Sequence, residues 1–116
     1  MRYTFSKQQR LRSSREFDRV YDQKRRFSDQ RLLMFAAANG MDRTRIGLSV
    51  SRKQGAAVKR FRIKRLLREA FRLSQHDLPA GYDLILIPKA GIDASVVEYQ
   101  ASLVSLAKKA ARQLRG

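Results

Sequence analysis

The spacing of apolar residues changes from one segment of the chain to the next, and each spacing predicts a different element. Phe17, Val20 and Tyr21 fall at i, i+3 and i+4, with Arg15, Asp18, Arg19 and Asp22 turned away, which predicts a short helix over about 14–23. Ser13 and Glu16 stand at capping-box spacing at its start. From 31 to 38, "RLLMFAAA" is almost continuously apolar. "NGMD" then offers Asn39-Gly40 as a turn, and "RIGLSVS" over 45–51 alternates, so the pair reads as a β-hairpin. In its second strand Ile46, Leu48 and Val50 share one face. Gly47, Ser49 and Ser51 share the other, a small polar surface suited to close approach by another backbone or to solvent.

Beyond a linker with Gly55 as its flexible point, Ile63, Leu66, Leu67, Ala70 and Phe71 recur at helical spacing. No Ser, Thr, Asp or Asn immediately precedes that helix, so its first N–H groups lack a side-chain cap. "LILIP" over 84–88 reads as a buried strand stopped by Pro88. Ser95 and Glu98 repeat the capping-box spacing ahead of a last helix, in which Val96, Tyr99, Leu103, Leu106, Ala107, Ala110 and Leu114 recur every three or four residues. Length and the absence of a linker or repeat predict one domain over 1–116.

Charge changes the picture most. The chain carries 26 Lys plus Arg against 10 Asp plus Glu, a net +16 over 116 residues, and self-repulsion of that size implies a polyanionic partner. The stretch "AVKRFRIKRLLREAF" over 57–71 concentrates it: Lys59, Arg60, Arg62, Lys64, Arg65 and Arg68 against Glu69 alone. By helical geometry Lys64, Arg65, Arg68 and Arg72 oppose the apolar stripe, with Phe61 among them. Lys59 and Arg60 oppose the helix dipole, a placement that stability alone does not favour.

Candidate chemistry is sparse. No Cys is present, and a single His76, read as a surface residue, cannot assemble a metal cage. The acids are scattered rather than convergent as a two-metal nuclease requires, and Asp18 and Asp22 read as a salt-bridged helix face with Arg15 and Arg19. No phosphate-binding loop or nucleophile elbow occurs. No run approaches the roughly 18 apolar residues of a membrane span, and the N-terminus lacks the apolar core of a secretory signal, so the expected compartment is the cytoplasm.

The block "GLSVSRKQGAAVKRFRIKRLLREAF", together with "RLRSSREFDRVYDQKRRF" near the start, resembles the signature of the bacterial ribonuclease P protein subunit across roughly residues 9–90. The resemblance implies an α+β fold of order αβββαβα, with a four-stranded sheet, a left-handed βαβ crossover and a short extra strand near Phe27. It implies an accessory subunit of a ribonucleoprotein endonuclease that removes the 5′ leader from precursor tRNA, with catalysis by the RNA subunit using Mg²⁺ and no catalytic protein side chain. Carried over, Arg52, Lys53, Lys59, Arg60, Arg62, Lys64, Arg65 and Arg68 would contact the catalytic RNA. Phe17, Tyr21, Leu33, Phe35, Ser49 and Ser51 would line a cleft for the leader.

Two positions depart from the family pattern: Ala56 and Phe61 stand where it has Asn. For Phe61, loss of a polar contact, stacking on a base and a small association patch are the competing explanations. The first is the simplest because the flanking cations are intact. A ribosomal-type structural RNA-binding protein shares the charge and the basic helix, and an exposed cleft carrying Phe17, Tyr21 and Phe35 is what separates the two readings. A DNA-binding module is third, since Asn and Gln for adenine readout are scarce on the basic helix.

Overall fold

The structure, a computed structural model, describes residues 7–115, with Arg115 by its backbone only. The first helix, α1 (Ser14–Asp22), starts where the capping box predicts: the Glu16 N–H donates to Ser13 Oγ, and the Ser13 N–H donates to Glu16 Oε1 at 3.1 Å. Three strands follow, β1 (Arg26–Ser28), β2 (Leu32–Ala38) and β3 (Arg45–Leu48). The long helix α2 (Ala57–Ser74), strand β4 (Tyr82–Pro88) and helix α3 (Val96–Arg115) complete the expected αβββαβα order, in one α+β domain. Ser95 and Glu98 form the second reciprocal cap at the start of α3.

The sheet order is β1-β2-β4-β3. The expected hairpin between 31–38 and 45–51 therefore does not form, because β4 lies between its two arms, antiparallel to β2 and parallel to β3. The local turn is real: Gly40 has φ +70°, and Asn39 Oδ1 accepts from the Met41 N–H at 2.8 Å. Pairing is decided elsewhere. β4 is apolar on both faces and takes the centre, where both faces are covered, while the short, half-polar β3 takes an edge. The hairpin that does form joins β1 to β2, where Asp29 Oδ1 accepts from the Arg31 and Leu32 N–H groups.

One face of the sheet carries Phe27, Leu32, Met34, Ala36, Ile46, Leu84 and Leu86 into the main core, against Ile63, Leu67 and Phe71 of α2 and Tyr99, Leu103 and Leu106 of α3. α1 covers only part of the other face, where Val20 is fully buried with Leu11, Ala37 and Ile85. Strand β3 stops at Leu48, so Ser51 lies past the sheet, at the head of a 3-10 turn over Arg52–Gln54.

The small face of β3 receives a ring rather than a backbone. A Cβ placed on Gly47 would stand 2.5 Å from Phe17 Cζ, so the absent side chain is what seats Phe17 on the sheet. Gly47→Ala should cost about 1–3 kcal/mol by forcing that ring aside. In a Phe17→Ala background the same substitution should cost little, and urea unfolding of the four proteins in that cycle measures the difference.

Candidate nucleic-acid interface

The strand register builds the open face row by row. Arg26, Phe35, Ile85 and Gly47 stand side by side across β1, β2, β4 and β3, and α1 lies over this row with Phe17 on Gly47. Tyr21 meets Phe35 edge-on, with ring centroids 4.9 Å apart. The next row carries Ser28, Leu33 and Ile87, and Ser49 joins it, its N–H bonded to Leu86 O at 3.0 Å. Phe17, Tyr21, Leu33, Phe35, Ile87 and Ser49 are all half-buried, so a partly open, mainly apolar strip, the trough, lies beside α1. Five of the six sequence-expected cleft residues meet there. Ser51 does not, because the strand has ended.

The row on the other side is Ala37, Asp83 and Arg45, and it is electrostatic. Asp83 is 0% exposed. Arg45 Nη2 and Nε donate to its two oxygens at 2.7 and 2.9 Å, Asn39 Nδ2 donates at 2.9 Å, and Arg19 of α1 pairs with it as well. Arg45 Nη1 also reaches Glu16 Oε2 at 2.8 Å. Two residues of α1 are thereby tied to the sheet through one arginine and one aspartate. Burial pushes the Asp83 carboxyl up, but the hydrogen bond from Arg45, with those from Asn39 and Arg19 and the charge of Arg45, holds it below its ordinary value. Glu16 is held low by the N–H groups of Arg12 and Ser13, with Arg45 adding to them against a smaller opposing effect of burial.

This cluster corrects the expected salt-bridged face of α1. Arg19 turns to Asp83 and the Ala38 carbonyl, and among the described residues Asp18 and Asp22 form no ion pair. His76 is exposed, as expected of a surface residue.

The cations of α2 divide by direction. Lys59, Arg62 and Arg65 are exposed, whereas Arg60, Lys64 and Arg68 are half-buried. Lys64 and Arg68 line a cavity of about 270 Å³ together with Phe17, Gly47, Arg10 and Arg12. They therefore turn toward the end of the trough rather than to the far side of the helix. Arg72 is taken by Glu69, with Nε to Oε2 at 3.0 Å. Arg52 and Lys53 stand exposed on the 3-10 turn, which buried Gln54 pins to the sheet by donating to Pro88 O at 2.7 Å. Gly55 follows at φ +122°, a conformation favouring glycine. α2 then begins without a side-chain cap and with no acid in its first turn.

The basic helix and the aromatic side chains beside α1 thus share one cavity, through Lys64, Arg68 and Phe17. A family model described as Ribonuclease P matches residues 5–111. The chain belongs to that family. It is 38% identical over 121 residues to the ribonuclease P protein component of Desulfovibrio desulfuricans, covering 99% of this chain and 92% of that one. It is 36% identical over 101 residues to the component from Alkaliphilus oremlandii, covering 86% and 89%. The solved ribonuclease P protein from Thermotoga maritima superposes with a TM-score of 0.76 at 30% identity, covering 86% of this chain and 96% of that one. Ribonuclease P family membership makes the chain a subunit of that enzyme, and no helix among the described residues is long and apolar enough to cross a membrane.

Sequence reasoning did not find Asp83, Arg45 and Asn39 as the group that fixes α1 over the ribonuclease P trough. Asp83→Asn should lower stability by about 3 kcal/mol at neutral pH, since the arginines around it lose their buried counter-charge. The sign with pH follows from the lowered carboxyls: their stabilisation is complete above the ordinary values of 3.8 and 4.5 for Asp83 and Glu16, and is lost as pH falls through the folded values. Urea midpoints measured from about pH 7 to about pH 2 should fall steeply for the wild type below about pH 4, and less steeply for Asp83→Asn.

Proposed function

We propose that the chain assists the removal of the 5′ leader from precursor tRNA in a cytoplasmic ribonucleoprotein, with the catalytic RNA bound along α2 and the leader lying in the trough beside α1. The observation that carries this reading is the cavity shared by Phe17, Gly47, Lys64 and Arg68, where the aromatic end of the trough meets the basic helix. A single strand leaving the RNA-bound helix would find phosphate-binding cations and then ring faces along one continuous surface. Arg52, Lys53, Lys59, Arg62 and Arg65, all exposed, suit contact with an RNA backbone, where release of condensed counterions drives association. Arg60, Lys64 and Arg68 are the half-buried members of the set, and the last two line the cavity where the two partners would meet.

Mg²⁺ supplies charge neutralisation and water activation for phosphodiester hydrolysis. The carboxylates here do not fit it as ligands. Asp83 and Glu16 are engaged by arginines, Glu69 by Arg72 and Glu98 by its helix cap, and no group of three potential ligands occurs among the described residues. In this proposal the ion belongs to the RNA subunit and substrate, and the protein's side chains bind and align. The half-open aromatic trough favours this role over that of a purely structural ribosomal-type protein, which has no need of one.

Added to a catalytic RNA subunit at low Mg²⁺, the protein should accelerate cleavage of precursor tRNA, while protein alone should cleave nothing; cleavage by RNA-free protein would refute the accessory role. If about five phosphates are neutralised on a single strand, log K should fall against log salt with a slope of roughly −3.5. A flat response would remove the electrostatic basis. Tyr21→Ala should weaken binding of precursor tRNA by about 1–3 kcal/mol, one lost stack, and leave mature tRNA nearly unchanged. Equal weakening of both substrates would assign Tyr21 to packing alone.

A further inference from the structure

Phe61 is 64% exposed and Val58, one turn before it on α2, is 84% exposed. Neither serves the fold, since the buried stripe of this helix is Ile63, Leu67, Ala70 and Phe71. The trough aromatics differ: Phe17 and Tyr21 are half-buried and pack on the second core cluster. Among the described residues Phe61 pairs with no other ring, so most of its surface is open to solvent.

We propose that Phe61 is a stacking platform for an unpaired base of the bound RNA, a site separate from the leader trough. The proposal rests on the reading that α2 meets RNA. Charge decides the occupant. On the helix face of Phe61 the neighbours one turn on are Lys64 and Arg65, and the nearest acid along the helix, Glu69, is already engaged by Arg72. An apolar protein surface gains nothing from that rim of cations. A second copy of this chain would bring one strongly basic face against another, within a molecule carrying +16. A single-stranded nucleotide supplies both complements, phosphate for the cations and a π face for the ring. Val58 and Ala57, one turn away, give the base an apolar shelf beside the phenyl ring.

The chain contains no tryptophan, so Phe61→Trp introduces a unique fluorophore at the site. Titrated with a transcript of a ribonuclease P catalytic RNA, the Phe61→Trp protein should bind with near wild-type affinity, and its emission should be quenched as a base stacks on the indole. Phe61→Ala and Phe61→Leu should each bind roughly 5- to 150-fold more weakly, the worth of one base–aromatic stack, with the slope of log K against log salt unchanged. Arg65→Ala, in contrast, should make that slope shallower by about 0.7 to 0.9, one phosphate contact. Binding by Phe61→Trp without quenching, or wild-type affinity in Phe61→Ala, overturns the stacking site while leaving the accessory role standing. Equal or tighter binding by Phe61→Asn also overturns it, in favour of a lost polar contact. A concentration-dependent dimer in sedimentation that Phe61→Ala abolishes assigns the ring to self-association instead. Failure of the wild type to bind the transcript overturns both readings.

Discussion

One buried carboxylate holds the open face together. Apart from Asp83 itself, strand β4 is largely apolar on both sides and lies at the centre of the sheet, so each of its faces needs cover. α2 and α3 cover one of them. The other has only α1, a helix of nine residues whose single fully buried side chain is Val20. Burial of one valine and parts of two rings is a small anchor for a helix that short. Asp83 supplies the rest. Surrounded by Arg45, Arg19 and Asn39, its charge is matched inside the protein, and Arg45 passes the connection to Glu16 at the first turn of α1. Removing Asp83 leaves the arginines without their counter-charge, and removing Arg45 breaks the link to Glu16, so the position of α1 is fixed by charge as well as by packing. The width of the trough follows from that position.

The same arrangement explains which parts were legible in the sequence. Helix starts were, because a capping box is local: Ser13 with Glu16, and Ser95 with Glu98, stand three residues apart. The core stripes of α2 and α3 were legible for the same reason. Strand pairing was not. Asn39-Gly40 makes a genuine turn, but the strand inserted beside β2 comes more than thirty residues later, and no local signal reports it. The Asp83 cluster is equally hidden, its members lying 64, 44 and 38 residues from Asp83 along the chain. Arg19 looks from sequence like a partner for Asp18 or Asp22. Only the fold reveals that a fully buried acid has the stronger claim on it.

The basic helix shows the opposite limit. Its charge was evident from composition, but its directions were not. Assigning Lys64 and Arg68 to an outward face by helical angle missed the curvature of the fold, which brings the first helix and β3 round to meet them. The linker before α2 contributes a tie: Gln54 is buried and donates to the carbonyl of Pro88, so the turn leading into the basic helix is joined to the end of the central strand. Arg52 and Lys53, both exposed, are displayed from that 3-10 turn.

The glycine beneath Phe17 limits how this surface can drift. Every single-nucleotide change of a glycine codon that alters the amino acid and keeps an open reading frame introduces a Cβ, and at position 47 a Cβ would overlap the ring of Phe17. No neutral one-step exit from this position exists while the phenylalanine remains, and shrinking the phenylalanine first removes a wall of the trough. Glycine and ring are separated by thirty positions in the chain but are inherited as one unit, so a lineage that remodelled this end of the trough would have to pass through an intermediate in which it is either crowded or open.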